Sequence, residues 1–206
     1  LFIGNSYTNR NDLPGLVCEL AAAGTPGVSM TAERSILNGA SLRRHWNAGE
    51  AARLIQEQRW DAVVLQEQST LPLKNPARYH ENVRLFAPLI RAQRARTVLY
   101  LPWARRAAPE SQEPLTAAVT GIAEEIGAEV APVGPAWEAV RATGAGPELY
   151  EADGSHPTAA GSYLAACVFY ATLLDRSPEG LPAPRRAGLT EQDVSLLQRV
   201  AAAGRK

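Results

Sequence analysis

An α/β fold built on a parallel sheet is what this sequence predicts, and three observations predict it. Short apolar runs of strand type alternate with amphipathic runs of helix type from one end of the chain to the other. The connections between them are short, as in sheets whose strands run one way with helices on both faces. At 206 residues the chain is long enough to bury a core without disulfide or metal staples, and residues 1–206 read as a single domain.

The elements follow in order. Leu1–Ile3 is a first apolar strand, and Asp12 is placed to cap a helix that stops at Gly24. Leu13, Leu16, Val17 and Leu20 share one face of that helix. Val28–Ala32 alternates as a second strand, Ala51–Gln58 reads as a helix, and Ala62–Leu65 is a continuously apolar third strand. A helix is expected over Tyr79–Gln93, with Pro88 set to kink or break it. Thr97–Leu101 makes a fourth strand, Leu115–Ile126 a helix, and Val130–Val133 a weaker fifth strand. Over Thr158–Leu174 a helix places Tyr163, Leu164, Cys167, Val168, Ala171 and Leu174 on one stripe. A connection rich in Pro, Gly and Arg, Ser177–Gly188, then leads to a last amphipathic helix, Glu191–Ala202.

Charge excludes some partners. Lys plus Arg and Asp plus Glu total 21 each, so the formal net charge is zero. Nucleic acid and anionic membranes are set aside, because binding either needs clustered positive charge. The pairs Arg43-Arg44, Arg105-Arg106 and Arg185-Arg186 are isolated and read as solvated surface. Cys18 and Cys167 fall in apolar helical patterns and read as buried free thiols. No run has the length of a membrane-spanning helix. No signal peptide is visible, but the chain opens without Met and inside a strand, which leaves room for a missing leader. Localisation therefore stays open, with the cytoplasm favoured, and so does the oligomeric state.

Two segments carry the chemistry. Ser6 follows the first strand on the turn into a helix, so its hydroxyl and its backbone N–H reach the rim of the sheet. That placement suits attack on a carbonyl and donation to the resulting oxyanion; a capping or turn serine is the plain alternative. Asp153-Gly154-Ser155-His156-Pro157 sets a carboxylate and an imidazole three residues apart, as a histidine base oriented by an acid requires. Pro157 disfavours the helical conformation at His156 and holds it in the loop. Together these residues imply acyl transfer. His45 and His80 are read as structural or exposed, and three scattered histidines without ligand spacing argue against a metal site. Phosphate-binding glycine loops are absent.

The chain resembles the SGNH hydrolases, the GDSL-like esterases and lipases, whose four motif blocks carry Ser, Gly, Asn and His in that order. Ile3-Gly4-Asn5-Ser6 is similar to the first block, with Asn5 where the usual motif has Asp. Asn38-Gly39-Ala40-Ser41 is similar to the second, which makes Gly39 a backbone oxyanion donor by resemblance. Asp153–Pro157, followed by Ala160-Gly161, is close to the fourth. The third block departs: Leu65-Gln66-Glu67-Gln68-Ser69 stands where the family has Gly-x-Asn-Asp. Gln68 falls in the place of the Asn by register, with Gln66 as the other candidate.

The resemblance implies a three-layer α/β/α sandwich around a five-stranded parallel sheet, flavodoxin-like in the order 2-1-3-4-5. On this reading Ser6, Gly39, Gln66 or Gln68, and Trp103 follow strands one to four, while Asp153 and His156 lie beyond strand five. All map to the carboxyl edge of one sheet, where such folds place ligands. The expected function is hydrolysis of a small ester by a Ser6-His156-Asp153 triad, with acetyl on a carbohydrate-like carrier as the first substrate considered. The Ser6 and Gly39 N–H groups and the Gln68 amide form the oxyanion hole, and Gln66, Trp103 and Arg105 contact substrate. No cofactor and no metal are implied; the expected partner is a small-molecule ester. A non-catalytic ligand-binding protein that keeps the fold, or a lipase or thioesterase type of acyl hydrolase, is the alternative.

Overall fold

The computed structural model describes residues 1–24, 29–184 and 187–204. Val28 and the Arg185-Arg186 pair lie outside the described residues. Five strands run in chain order as β1 (Phe2–Gly4), β2 (Arg34–Ile36), β3 (Ala62–Leu65), β4 (Arg96–Leu101) and β5 (Glu129–Pro132). The helices are α1 (Ser6–Asn9), α2 (Leu13–Gly24), α3 (Leu42–Ala48), α4 (Glu50–Glu57), α5 (Leu71–Lys74) and α6 (Pro76–Ala92). They continue as α7 (Gln112–Ile126), α8 (Val133–Ala142), α9 (Ala159–Leu174) and α10 (Glu191–Ala203).

The strands form one parallel sheet in the order β2-β1-β3-β4-β5, the flavodoxin-like order. Phe2 stands opposite Arg34 on one side and Val64 on the other, and Val64 opposite Val98. Phe2, Ile3 and Gly4 of β1 are all buried, as are Val63, Val64 and Leu65 of β3. Strands covered on both faces need unbroken apolar runs, and these residues supply them.

The second strand lies at Arg34–Ile36 rather than Val28–Ala32, and residues 29–32 have no regular structure. It is an edge strand of which Ser35 alone is buried, so it has no apolar alternation to betray it. Pro88 does not break α6, which runs through it. Tyr79, Val83, Phe86 and Ile90 are buried along that helix, and their burial offsets the ladder bond that proline cannot donate. Helices α3 and α8 occupy stretches where the sequence shows no long apolar period.

The described residues group into two compact units. The first comprises Leu1–Asn9, Glu33–Leu101 and Ser111–Ala131 and contains the sheet. In its core, Ile3, Val63, Leu65 and Leu99 of the strands pack with Leu42, Ile55, Phe86 and Ile122 of the helices. Each such side chain contributes roughly 1.5–3 kcal/mol of transfer free energy.

The second unit comprises Arg10–Ala32, Pro102–Glu110 and Pro132–Lys206. There α9 packs against α2, α8 and α10. Every residue of α9 from Ala160 to Ala171 is buried, so it is wrapped all round rather than on the single stripe expected. Cys167 lies in this core, where burial pushes its thiol up to about 12. Cys18 is half-buried, and desolvation raises its pKa as well.

Candidate active site

β1 ends at Gly4 and α1 begins at Ser6, so the turn that carries the candidate nucleophile is a single residue long. A Cβ on Gly4 would fall 2.7 Å from the Gln66 side-chain oxygen and also collide with Thr8 Oγ1, so only glycine fits. Asn5 is buried and bonded on every side. Its N–H donates to Gln66 Oε1 at 2.8 Å, its Oδ1 accepts from the Tyr7 N–H at 3.1 Å, and its Nδ2 donates to the Ala40 carbonyl at 3.1 Å. The Thr8 and Asn9 N–H groups return to the Asn5 carbonyl at 3.1 and 3.0 Å. Ser6 thus heads a helix turn whose preceding residue is clamped, and it is itself half-buried.

His45 braces the same turn. Its Nε2 lies 2.9 Å from the Gly4 carbonyl, which can only accept, so the proton sits on Nε2. Burial lowers its pKa, and the neutral ring's Nδ1 accepts from Ser35 Oγ at 3.4 Å.

Gly39 sits in the turn after β2, closed by the Ala40 N–H donating to the Leu37 carbonyl at 3.0 Å. Its φ of +67° is the left-handed region that glycine adopts without strain. Beyond β3 the two glutamines diverge. Gln66 is 0 % exposed; its Oε1 accepts from Asn5 N and from Thr8 Oγ1 at 3.0 Å, and its Nε2 donates to the Glu67 carbonyl at 2.5 Å. Gln68 is half-buried and turns its Oε1 to the Thr70 N–H and Oγ1 at 2.9 and 3.0 Å. That orientation leaves its Nε2 without an acceptor among the described residues. Gly39 and Gln68 line one open cleft of about 570 Å³.

Glu67, between the glutamines, is a buried carboxylate with three donors. Oε1 accepts from the Leu42 and Gln68 N–H groups at 3.0 and 2.7 Å, and Oε2 from Asn82 Nδ2 at 2.8 Å. Desolvation raises its pKa, against the pull of these donors. Glu67 thereby sets the backbone from which Gln68 projects.

In the second unit, His156 Nδ1 meets Asp153 Oδ2 at 2.5 Å. Asp153 Oδ1 accepts from the Ser155 and His156 N–H groups, each at 2.9 Å. The imidazole, and then these N–H groups, hold the Asp153 carboxyl well below the usual carboxylate range. The loop is secured around them. The Glu151 N–H donates to the His156 carbonyl at 2.8 Å, and the Arg106 N–H to the Gly154 carbonyl at 2.9 Å. Trp103 Nε1 donates to the Ser155 carbonyl at 2.9 Å.

The first unit therefore gathers Ser6, Gly39, Gln66 and Gln68, and the second gathers Asp153, His156 and Trp103. Two expected substrate contacts are revised. Gln66 has both amide atoms engaged inside the protein and is scaffold. Trp103 is 2 % exposed and stacks on Trp137 at 3.8 Å and 11°, so it supports the histidine loop instead of walling a pocket. Arg105 is exposed on the same segment, while the neighbouring Arg106 binds the Tyr150 carbonyl at 3.3 Å and Glu148 at 2.9 Å. Asn5 and Glu67 were not expected to hold the site together. Their partners lie far along the chain, and only the departures from the first and third motif blocks mark them.

Among solved structures the chain is similar to a protein from Slackia heliotrinireducens assigned by inference to the SGNH hydrolases. The two are 30 % identical over 84 % of this chain and 96 % of that one, with a TM-score of 0.71. A DUF4886 family protein from Bacteroides uniformis is 20 % identical, with 98 % and 92 % of the two chains covered and a TM-score of 0.78. A catalytic mutant of Axe2, an acetylxylan esterase from Geobacillus stearothermophilus, is 16 % identical, with 84 % and 91 % covered and a TM-score of 0.65. The last two share the fold. No family model matches the chain, and no curated protein does.

Proposed function

Because the chain belongs to the SGNH hydrolases, we propose that it is a serine esterase acting on small esters, with an acetyl group on a polar, carbohydrate-like carrier as the first substrate class. The observation that carries this reading is the Asp153–His156 pair, with Nδ1 held at 2.5 Å by a carboxylate that stays ionised. With Nδ1 so engaged, Nε2 is the ring nitrogen left to move a proton.

In the proposed reaction His156 takes the proton from Ser6 as Oγ attacks the ester carbonyl carbon. Negative charge gathers on the carbonyl oxygen, and the Ser6 and Gly39 N–H groups with Gln68 Nε2 receive it. Collapse breaks the ester C–O bond, and His156 returns its proton to the departing alcohol. The base then deprotonates a water that attacks the acyl-enzyme, releasing the acid and restoring Ser6. The free Nε2 of Gln68 supports its place in the hole over that of Gln66. Polar and charged residues make up most of those around the cleft, which supports a polar carrier over a long acyl chain.

A fluorophosphonate probe and a chromogenic acetyl ester test the reading together. The wild-type chain should be labelled at Ser6 and turn over the ester, and Ser6→Ala should do neither. Turnover by Ser6→Ala at the wild-type rate overturns it.

A further inference from the structure

The cleft that Gly39 and Gln68 line is basic, although the chain as a whole carries no net charge. Arg43, Arg44 and Arg78 stand around it, Asn47 adds a neutral polar group, and no carboxylate is among its lining residues. Leu71 is the one large apolar side chain in the lining. The pair read from sequence as solvated surface thus borders a concave site.

Arg43 is held in place. Its Nε donates to Asn82 Oδ1 at 3.1 Å, and Asn82 Nδ2 donates to the buried Glu67 at 2.8 Å. Compensation at the rim is thin: Glu81 lies 3.9 Å from Arg43 and 3.0 Å from Arg78, one exposed carboxylate shared between two guanidinium groups. Arg44 has no carboxylate partner among the described residues. Three guanidinium groups with one exposed carboxylate leave positive charge and unused donors facing the cleft.

We propose that this cleft binds an anionic group on the ester substrate, a carboxylate or a phosphate, and so selects acidic esters over neutral ones. Guanidinium groups present planar forks of donors that match both anions. The inference rests on the esterase reading, because Gly39 and Gln68 join the cleft to the reacting carbonyl. The Asn5–Ala40 bond ties the Gly39 turn to that of Ser6.

Matched esters test the proposal at low ionic strength. 4-Acetoxybenzoate and 4-acetoxyphenyl phosphate are each compared with neutral 4-acetoxybenzamide. The preferred anion should exceed the neutral ester about tenfold in kcat/KM, the scale of a charge-assisted hydrogen bond, and added salt should shrink the preference. Whichever anionic ester leads identifies the group. Arg44→Gln and Arg78→Gln should each lower the ratio several-fold, and Arg44→Glu should invert it. Arg53→Gln, on the outer face of α4 between Glu50 and Glu57, should leave the ratio as it is.

A ratio near one, with neutral ester still hydrolysed through Ser6, overturns the inference and spares the esterase reading. If no ester turns over, the esterase reading falls and equilibrium binding of benzoate and phenyl phosphate decides the cleft. Binding that Arg44→Gln weakens supports it, and binding that Arg44→Gln leaves unchanged, or no binding, ends it.

Discussion

Asn5 donates its side-chain amide to the Ala40 carbonyl across 3.1 Å, tying the turn that carries Ser6 to the turn that carries Gly39. The first motif block of the resembled family has Asp at this place, and an ionised Asp has no proton to give. Asn5→Asp should therefore weaken the protein, although it restores the usual motif. The expected loss is about 1–3 kcal/mol in urea unfolding, the cost of a buried acceptor left without its donor. Turnover of an acetyl ester should fall with it. Wild-type stability in this variant would show that the tie contributes nothing.

Gln66 and Gln68 should fail differently when each is replaced by Ala. Gln66→Ala strips acceptors from the Asn5 N–H and Thr8 hydroxyl in the core and should cost roughly 2–3 kcal/mol of stability. Gln68→Ala removes an acceptor for the half-exposed Thr70 N–H and hydroxyl and should cost less, about 1 kcal/mol. Its kcat should drop about a hundred- to a thousandfold with little change in KM, as for one oxyanion donor. The reverse pattern would move the donor role to Gln66.

Glu67 should leave a mark on stability against pH. Burial raises its folded-state pKa above the ordinary 4.5, so the folded chain holds that proton more tightly than the unfolded one. The resulting stabilisation is complete below about pH 4.5 and is lost as the pH climbs through the raised value. Glu67→Gln carries no titrating group and should flatten this fall. Urea titrations from about pH 4 to 7 measure it, and an unchanged slope rules out Glu67 as the source.

Trp103 should matter through its indole N–H. Trp103→Phe keeps an aromatic ring against Trp137 but removes the donor to the Ser155 carbonyl. Stability should fall by about 1 kcal/mol, and kcat about tenfold as the imidazole wanders from its working geometry. If Trp103 touched substrate instead, KM would carry the change.

Sequence showed the buried strands because their burial on both faces demands apolar residues without interruption. It hid β2, where only Ser35 enters the interior and pairing with β1 comes from backbone bonds. The Asp153–His156 pair was legible because both residues sit in one short loop. The choice between the glutamines was not: two residues apart, they share a side in strand register. Only the bonds to Asn5 and Thr8, 61 and 58 residues away, separate the buried amide from the open one. Trp103 misled for a similar reason, since its stacking partner belongs to a helix that the sequence did not announce.

The wrapping of α9 bears on how steadily the histidine loop is held in time. Segments open to solvent at free energies that rise with burial, so the inner amides of α9 belong among the last in their unit to exchange with deuterated water. Thr158 joins the two: its hydroxyl caps α9 at Gly161 and its N–H donates to the Leu149 carbonyl at 2.9 Å, two residues beyond His156. The imidazole is thus spliced onto a slow-opening segment, and breathing of its loop should be confined to the Glu151–Ser155 side.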